Sequence, residues 1–566
     1  MAKTTWSIAE RTEGDLVSQL LANRGVAVND REKFLNPHWE RDTFPPSDFT
    51  NMKRAVAAMF SALERGDAIV IHGDYDADGV SGSALLFEAL RYITEKMSLS
   101  FNVEVFLPDR EKDGYGVAMH TIERFIEEKK KLLVTVDCGI ANGLELDRAF
   151  DAGIDVVVCD HHQMGTHFPG NAIVLHPLAP GETYANKTLC GTGVAFKFAS
   201  ALIHEAQHRG ANIPEGYEKW FLDFVAIATV TDVMPLLGEN RTLETFGLQV
   251  LNKTRRPGLC AMLTMSGTDL GTIDTQAIGF RIGPRLNAAG RLQSAKLAFD
   301  TLTAPTPEAA NVAATKLESL NKERQSIFRD SYKEAEQMAR SMIGADCNVL
   351  VVSSETWLPG IVGLIAGRLV TDFAVPAFAL TKVGDHYVGS GRTAGGLHLV
   401  EAMNACGDIF LKKGGHPQAC GLSVPSMTEV HMFREQMNAF ARSVFGKAGA
   451  VVTFPIDAVI APSTFTIDGI GALNACAPFG EGNRPPVFAA LKMTVMMAET
   501  MGATGTHLRL TALDDAQKVC KMVGFGMGDM AEALHRGKVI DVAYEPGINE
   551  WNGRKEVQCR IVDIRL

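Results

Sequence analysis

From Asp67 onward, short β-rich runs alternate with helix-like segments: AIVIH, then 81–92, VEVF, then 119–128, LLVTV, then 142–151, and DVVVC. Parallel neighbours need a crossover of a dozen or more residues, so strands and helices alternating at this spacing predict a parallel α/β sheet. In such sheets ligands sit beyond the carboxyl ends of the strands, and the polar residues just after each run become the candidates. Here those residues are acidic.

AIVIH leads into HGDYDADGVSG, which places His72, Asp74, Asp76 and Asp78 within seven residues, interleaved with Gly73, Gly79 and Gly82. Carboxylates this close repel one another unless a cation neutralises them, and hard oxygen ligands with a histidine suit Mn²⁺ or Mg²⁺. LLVTV ends in Asp137, VVVC ends in Asp160, His161 and His162, and FLDFVAIATVTDVMPL delivers Asp232 after an apolar run. A lone acid at any one of these places is usually a helix cap or a surface residue. Four co-directed clusters point instead to a two-metal site. There, cations bridged by a shared carboxylate activate water and stabilise a pentacoordinate phosphoryl transition state.

The 566 residues are three or four times a modal domain of ~150, so several domains are expected. Apolar residues at 46% and charged residues at 21% argue against long disorder and fibres. The longest apolar runs fall short of the ~18 residues of a spanning helix, and MAKTTWSIAERTEGD lacks a signal peptide's apolar core, so a cytoplasmic location off the membrane is expected. Ten cysteines without a C-x-x-C pair fit a reducing compartment and exclude a cysteine zinc site. A net charge of −11 gives no support for nucleic-acid binding by the chain as a whole. Locally, Lys253, Arg255, Arg256, Arg281, Arg285, Arg291 and Lys296 face only Asp269 and Asp274, a stretch that could line a phosphate-binding groove.

Thr306, Pro307 and Glu308 read as N-cap, first-turn proline and dipole-favoured acid. Leu317, Leu320, Ile327, Phe328, Tyr332, Ala335 and Met338 then recur at helical spacing, predicting a connecting helix of roughly 50 Å over 305–343. The resulting division is an N-terminal arm or cap at 1–48, a first α/β domain at 49–304, the helix, a second α/β domain at 344–447, and a small β-barrel at 448–566. HEAQH at 204–208 fits a zinc-protease pattern, but the third ligand of its extended form is missing, and an exposed helix end is expected. There is no G-x-x-x-x-G-K-[ST] loop, so strand separation driven by ATP is not expected of this chain.

GDYDADG at 73–79, TVDCG at 135–139, CDHH at 159–162 and TDVMPL at 231–236 together resemble the DHH phosphoesterase superfamily. LPDREKDGYG at 107–116 and RIGPRLNAAGRL at 281–292 resemble its RecJ branch. GSGRT at 389–393 and GGHPQACG at 414–421 resemble the DHH-associated domain, and APFGEGNRPPVF at 477–488 resembles the opening of the RecJ OB-fold. The resemblance implies a DHH-type parallel-sheet domain joined by a long helix to a smaller α/β domain, plus an OB-type barrel. It implies that Asp76, Asp78, Asp137, His161 and Asp232 bind two divalent ions, Mn²⁺ or Mg²⁺, with Asp137 the bridge, and that His72 joins them through its His-x-x-x-Asp-x-Asp pattern. Asp160 belongs to the catalytic triplet. His162 would contact the scissile phosphate, supported by Arg392 and His416.

Arg110, Ser390 and Arg392 would hold a terminal 5′-phosphate, for which a planar guanidinium fork is suited. Arg281, Arg285, Asn287 and Arg291 would lie near the nucleic-acid path, and Gly414 and Gly415 would let the backbone approach phosphate. The implied activity is hydrolysis of single-stranded DNA from its 5′ end to 5′-mononucleotides, in repair and recombination, by a monomer working with a helicase and a single-strand-binding protein. A DHH phosphodiesterase acting on oligoribonucleotides, cyclic dinucleotides or short polyphosphates is the alternative, and a scaffold with a dead site is a third reading. In the barrel, Arg484, Arg509, Arg554 and Lys555, with stacking from Phe488 or Trp551, would give single strands a second hold.

Overall fold

The computed structural model describes residues 4–12, 14–110, 112–344, 347–446, 450–551 and 553–566. The chain divides into two compact units, Met1–Asn36 with Ala448–Leu566, and Pro37–Lys447. The expected arm at 1–48 thus contributes to both. Its Thr4–Ile8 strand pairs in parallel with Val452–Ile456 in the smaller unit, whereas Phe44 belongs to the larger one, where its carbonyl accepts from the buried Lys197 ammonium at 2.7 Å.

The larger unit is built on a five-stranded sheet ordered Val103–Phe106, Ile69–Gly73, Leu132–Val136, Asp155–Cys159, Ile173–Leu175. All its pairings are parallel. The two central strands are buried along their whole length, as a sheet covered on both faces requires. Strand order reverses between Ile69–Gly73 and Leu132–Val136, and the crevice beyond that switch point is where an open α/β sheet binds its ligand. The Ala77–Met97 and Gly191–His208 helices pack on one face, and the Met119–Glu127 and Gly143–Asp151 helices line the other.

The connecting helix runs Pro307–Met342, 36 residues or roughly 54 Å, with Thr306 capping the amide of Ala309. Its ends are buried at Leu317, Leu320, Ala335 and Ala339, while Ile327, Phe328 and Tyr332 in its middle are half-buried. That pattern suits a strut between two lobes. The second lobe has a five-stranded sheet, Lys412–Gly415, Ala419–Val424, His386–Arg392, Ala377–Val383, Leu350–Ser354, in which only the last pair is parallel. In the smaller unit, Phe488–Met501, His507–Leu513, Val519–Gly524, Arg554–Arg565 and Val539–Trp551 pair successively, and the first closes on the last to make a barrel. Among the described residues, no helix is long and apolar enough to cross a membrane.

Glu244, on the Gly238–Leu251 helix, is fully buried, and neither carboxyl oxygen has a hydrogen-bond partner. Burial pushes its carboxyl well above the ordinary 4.5. The unfolded chain releases this proton near pH 4.5 while the folded chain retains it. The group's contribution is therefore fully present below that pH and is lost as pH rises. Glu244→Gln, which cannot ionise, should gain melting temperature relative to the parent between pH 5 and pH 8, as followed by circular dichroism. A difference independent of pH would refute the assignment.

Candidate two-metal active site

Asp74 and Asp76 leave the Ile69–Gly73 strand, Asp137 leaves Leu132–Val136, Asp160 and His161 leave Asp155–Cys159, and Asp232 closes the Leu222–Thr231 helix. Ligand atoms of Asp74, Asp76 and Asp137 lie within 4.8 Å of one another, as do those of Asp78, His161 and Asp232, and of Asp137, His161 and His162. Asp137 and His161 therefore join adjacent groups. His161 Nε2 stands 3.2 Å from Asp137 Oδ1, 3.4 Å from Asp232 Oδ2 and 3.8 Å from Asp78 Oδ2.

Each carboxylate is aimed by the local chain. Asp76 caps the Ala77–Met97 helix, with Oδ1 accepting from the amides of Asp78 and Gly79. Asp78 sits against the N-terminus of the 18-residue Gly191–His208 helix, accepting from the amides of Gly191 at 2.8 Å and Thr192 at 2.7 Å. A side chain at Gly191 would place Cβ 2.5 Å from Asp137 Oδ1, so only glycine admits the two acids together. Asp137 and Val233 hold left-handed backbone conformations, φ 62° and 57°, which cost non-glycine residues on the order of 1–3 kcal/mol each.

Burial, and then repulsion from neighbouring acids, pushes Asp74, Asp76, Asp137 and Asp232 above the ordinary carboxylate range. Burial, then the neighbouring His162, pushes His161 down to about 4, so its imidazole is neutral. Neutral His161 Nε2, Asp137 Oδ1 and Asp232 Oδ2 converge without a hydrogen-bond partner, as does Asp74 Oδ1 nearby. Acceptors converging with nothing between them are unfavourable unless a cation occupies the space. Oxygen-rich donors with one neutral imidazole suit Mn²⁺ or Mg²⁺.

Asp160 has a different task. It accepts from the amides of Ile140, His161 and His162 and from His162 Nδ1 at 2.9 Å. Burial alone would raise it, but the bond and charge of His162 hold it down at about 2. Burial alone would lower His162, yet Asp160 raises it to about 9. His162 is thereby a cation at neutral pH, with the His416 ring 6.4 Å away and Tyr115 at 5.4 Å.

Beside this centre lies a cleft of about 570 Å³, lined by Arg110, Arg291, Ser390, Arg392, Gly415 and their neighbours. Arg392 donates to Ser390 Oγ at 2.8 Å, and Arg110 stacks 3.9 Å over the Tyr75 ring. Burial and the nearby guanidiniums of Arg110, Arg324 and Arg392 push Arg291 down to about 10. Among the described residues, no carboxylate pairs with Arg110, Arg291 or Arg392. Converging unpaired cations are suited to an anion such as phosphate.

Residues 68–229 match the DHH family N-terminal domain, 346–443 the DHHA1 domain and 456–563 the RecJ OB domain. The single-stranded-DNA-specific exonuclease RecJ of Bacillus subtilis is 34% identical over 550 residues, 97% of this chain and 67% of that protein. The Dickeya dadantii protein of the same name is 30% identical, over 96% of this chain and 95% of its own length. The chain belongs to the RecJ family. RecJ from Thermus thermophilus, solved in complex with Mn²⁺, superposes with a TM-score of 0.83 at 26% identity, over 100% of this chain and 80% of that one.

Against this RecJ-type frame, the expected ligands Asp76, Asp78, Asp137, His161 and Asp232 come together, but His72 does not. Alternation along the strand turns His72 under the sheet, where it is fully buried, with Phe106 and Phe125 around it and Nδ1 3.6 Å from Cys138 Sγ. Asp74 stands in the carboxylate cluster with Asp76 and Asp137 instead, and the signal was already present in the two-residue spacing of Asp74, Asp76 and Asp78. The basic stretch is not one groove. Arg256 pairs with Asp223, Arg285 with Glu318 on the connecting helix, and Lys296 with Asp300, while Arg281 donates to Gly267 O and Thr268 Oγ1. Asn287 binds the Ala77 amide, and only Arg291 reaches the cleft.

Gly415, at φ 139°, would carry a Cβ 2.5 Å from Ala419 O, so the hairpin itself demands glycine. The exposed His204 and His208 lie on the last turns of their helix, His204 3.9 Å from Glu218. In the barrel Phe488 is fully buried and so cannot stack on a base, and Arg484, partly exposed, pairs with Asp457. Lys555 stands 3.5 Å from Glu550, Arg509 and Arg554 are exposed, and the side chain of Trp551 lies outside the described residues. Gly191, Thr192 and Tyr115 went unnoticed in the sequence. Small residues opening a helix at 191–193 were the available sign of a bare N-terminus.

Asp74→Asn should weaken Mn²⁺ binding by at least about tenfold, whereas His72→Leu should leave it within about threefold, measured by electron paramagnetic resonance titration. Equal losses would restore His72 to the ligand set.

Proposed function

We propose that this chain hydrolyses single-stranded DNA from the 5′ end and releases 5′-mononucleotides. Single-stranded-DNA exonuclease activity follows from family membership over nearly the whole chain. The 5′ polarity is carried by one observation: the guanidiniums of Arg110, Arg291 and Arg392, none paired with a carboxylate among the described residues, converge in a cleft beside the carboxylate centre. A terminal phosphate carries more charge than an internal diester and would be selected there.

Asp74, Asp76, Asp78, Asp137, His161 and Asp232 would hold the divalent ions, Mn²⁺ or Mg²⁺, with Asp137 and His161 shared between neighbouring groups. When bound, such ions polarise the phosphoryl oxygens and yield a nucleophilic hydroxide from water near neutral pH. His162, cationic and fixed by Asp160, donates to a scissile-phosphate oxygen as charge builds there, with the His416 ring 6.4 Å from it. Arg392, braced by Ser390, and Arg110, stacked on Tyr75, orient the terminal phosphate so that the first diester lies over the carboxylates.

A helicase and a single-strand-binding protein would supply open strands in the cytoplasm, since the chain carries no nucleotide-binding P-loop of its own. The working unit in this reading is a monomer. The smaller-substrate alternative leaves the RecJ OB domain without a role.

Asp137→Ala should reduce cleavage below about 1% of the parent rate while oligonucleotide binding stays within about twofold, because the arginines remain. Near-normal turnover at saturating Mn²⁺ would sink the assignment. Arg392→Ala should cut the preference for 5′-phosphorylated over 5′-hydroxyl strands by about tenfold or more in competition assays. An unchanged preference would remove Arg392 from the phosphate grip.

A further inference from the structure

One face of the Gly283–Leu292 helix meets the chain beside Asp232, the 75–77 turn and the cleft. A Cβ at Gly283 would lie 2.4 Å from Thr231 Cγ2, beside Asp232. Asn287 Oδ1 accepts from the Ala77 amide at 2.8 Å, the peptide between Asp76 and Asp78. A Cβ at Gly290 would lie 2.2 Å from Tyr75 O, and Gly290 O faces Arg110 Nε at 3.4 Å. Arg291 Nη1 donates to Gly360 O at 2.8 Å on the cleft wall contributed by the second lobe. One rigid element thus joins the carboxylate loop to the phosphate cleft. From residue 287 to residue 291 the helix rises about 6 Å.

We infer that this helix is a ruler setting how many nucleotides leave per cut, and that Asn287 is its positioning residue. By holding the Ala77 amide, Asn287 fixes Asp76 and Asp78 at a set distance from the grip of Arg110, Arg291 and Arg392. Hydrolysis then falls on the first diester and not the second. Asn287 touches neither the substrate nor the reacting atoms. Its effect depends on the backbone it holds, so it differs from a ligand or a phosphate contact. The inference rests on the reading that the cleft takes the terminal phosphate.

The test uses the full chain and a 5′-phosphorylated, internally labelled oligonucleotide, with products separated by length. Asn287→Ala should lower kcat about tenfold, leave KM within about twofold, and add dinucleotides to the mononucleotide product. Mn²⁺ affinity, titrated without DNA, should fall several-fold, and oligonucleotide affinity in chelator should hold within about twofold. Asn287→Asp, which retains an acceptor for the Ala77 amide, should return the product to mononucleotides even if Asn287→Ala proves less stable. Mononucleotides alone from Asn287→Ala, with the parent's 5′-phosphate preference intact, would overturn the ruler and leave the proposed function standing. A parent enzyme without 5′-phosphate preference would overturn the phosphate grip and the ruler that rests on it.

Discussion

Mutual repulsion among buried carboxylates is the constraint around which the larger unit is organised. Asp74, Asp78 and Asp137 are almost wholly buried, with Asp76 and Asp232 beside them. Two like charges ~4 Å apart repel by roughly 4 kcal/mol at the effective dielectric typical of proteins, so without cations the acids hold protons in place of full charge. The fold opposes this with rigid surroundings: fully buried central strands, the amides of Gly191 and Thr192 against Asp78, and the capping role of Asp76. Strained backbone at Asp137 and Val233 belongs to the same arrangement, since relaxed turns would let the acids swing apart. A site assembled against its own electrostatics is one that divalent cations complete.

Environment, more than residue type, then assigns the roles. His161 and His162 are adjacent in the chain, yet the first is depressed to about 4 and the second raised to about 9. The difference traces to Asp160, which spends its oxygens on three backbone amides and His162 Nδ1 and so never turns toward the metal groups. A neutral imidazole can act as a ligand, and a charged one can face a phosphate. The same logic separates the arginines. Arg256 and Arg285 are tied to acids, whereas Arg110, Arg291 and Arg392 are held by carbonyls, a hydroxyl and an aromatic face and keep their charge available.

The alternation of strands and helices after Asp67 was enough to specify a parallel sheet, and with it the strand ends that carry Asp76, Asp137, His161 and the other acids. Those features are local in sequence and follow from strand periodicity and the geometry of crossovers. The capped start of the connecting helix at Thr306 was equally legible, because capping is decided within one helical turn.

Tertiary structure decided which of the candidates act together. His72 and Asp74 lie two residues apart, and only the end of the strand, where alternation stops, separates a residue under the sheet from one in the carboxylate cluster. Arg285 and Arg291 share a helix, and only packing against Glu318 on one side and Gly360 on the other divides an ion pair from a cation that lines the cleft. Phe488 and Arg484 read as DNA contacts until the barrel closed over one and Asp457 paired with the other. Residue type and local period determined what each side chain could do. Partners far away in sequence, which no local pattern encodes, determined what each was left free to do.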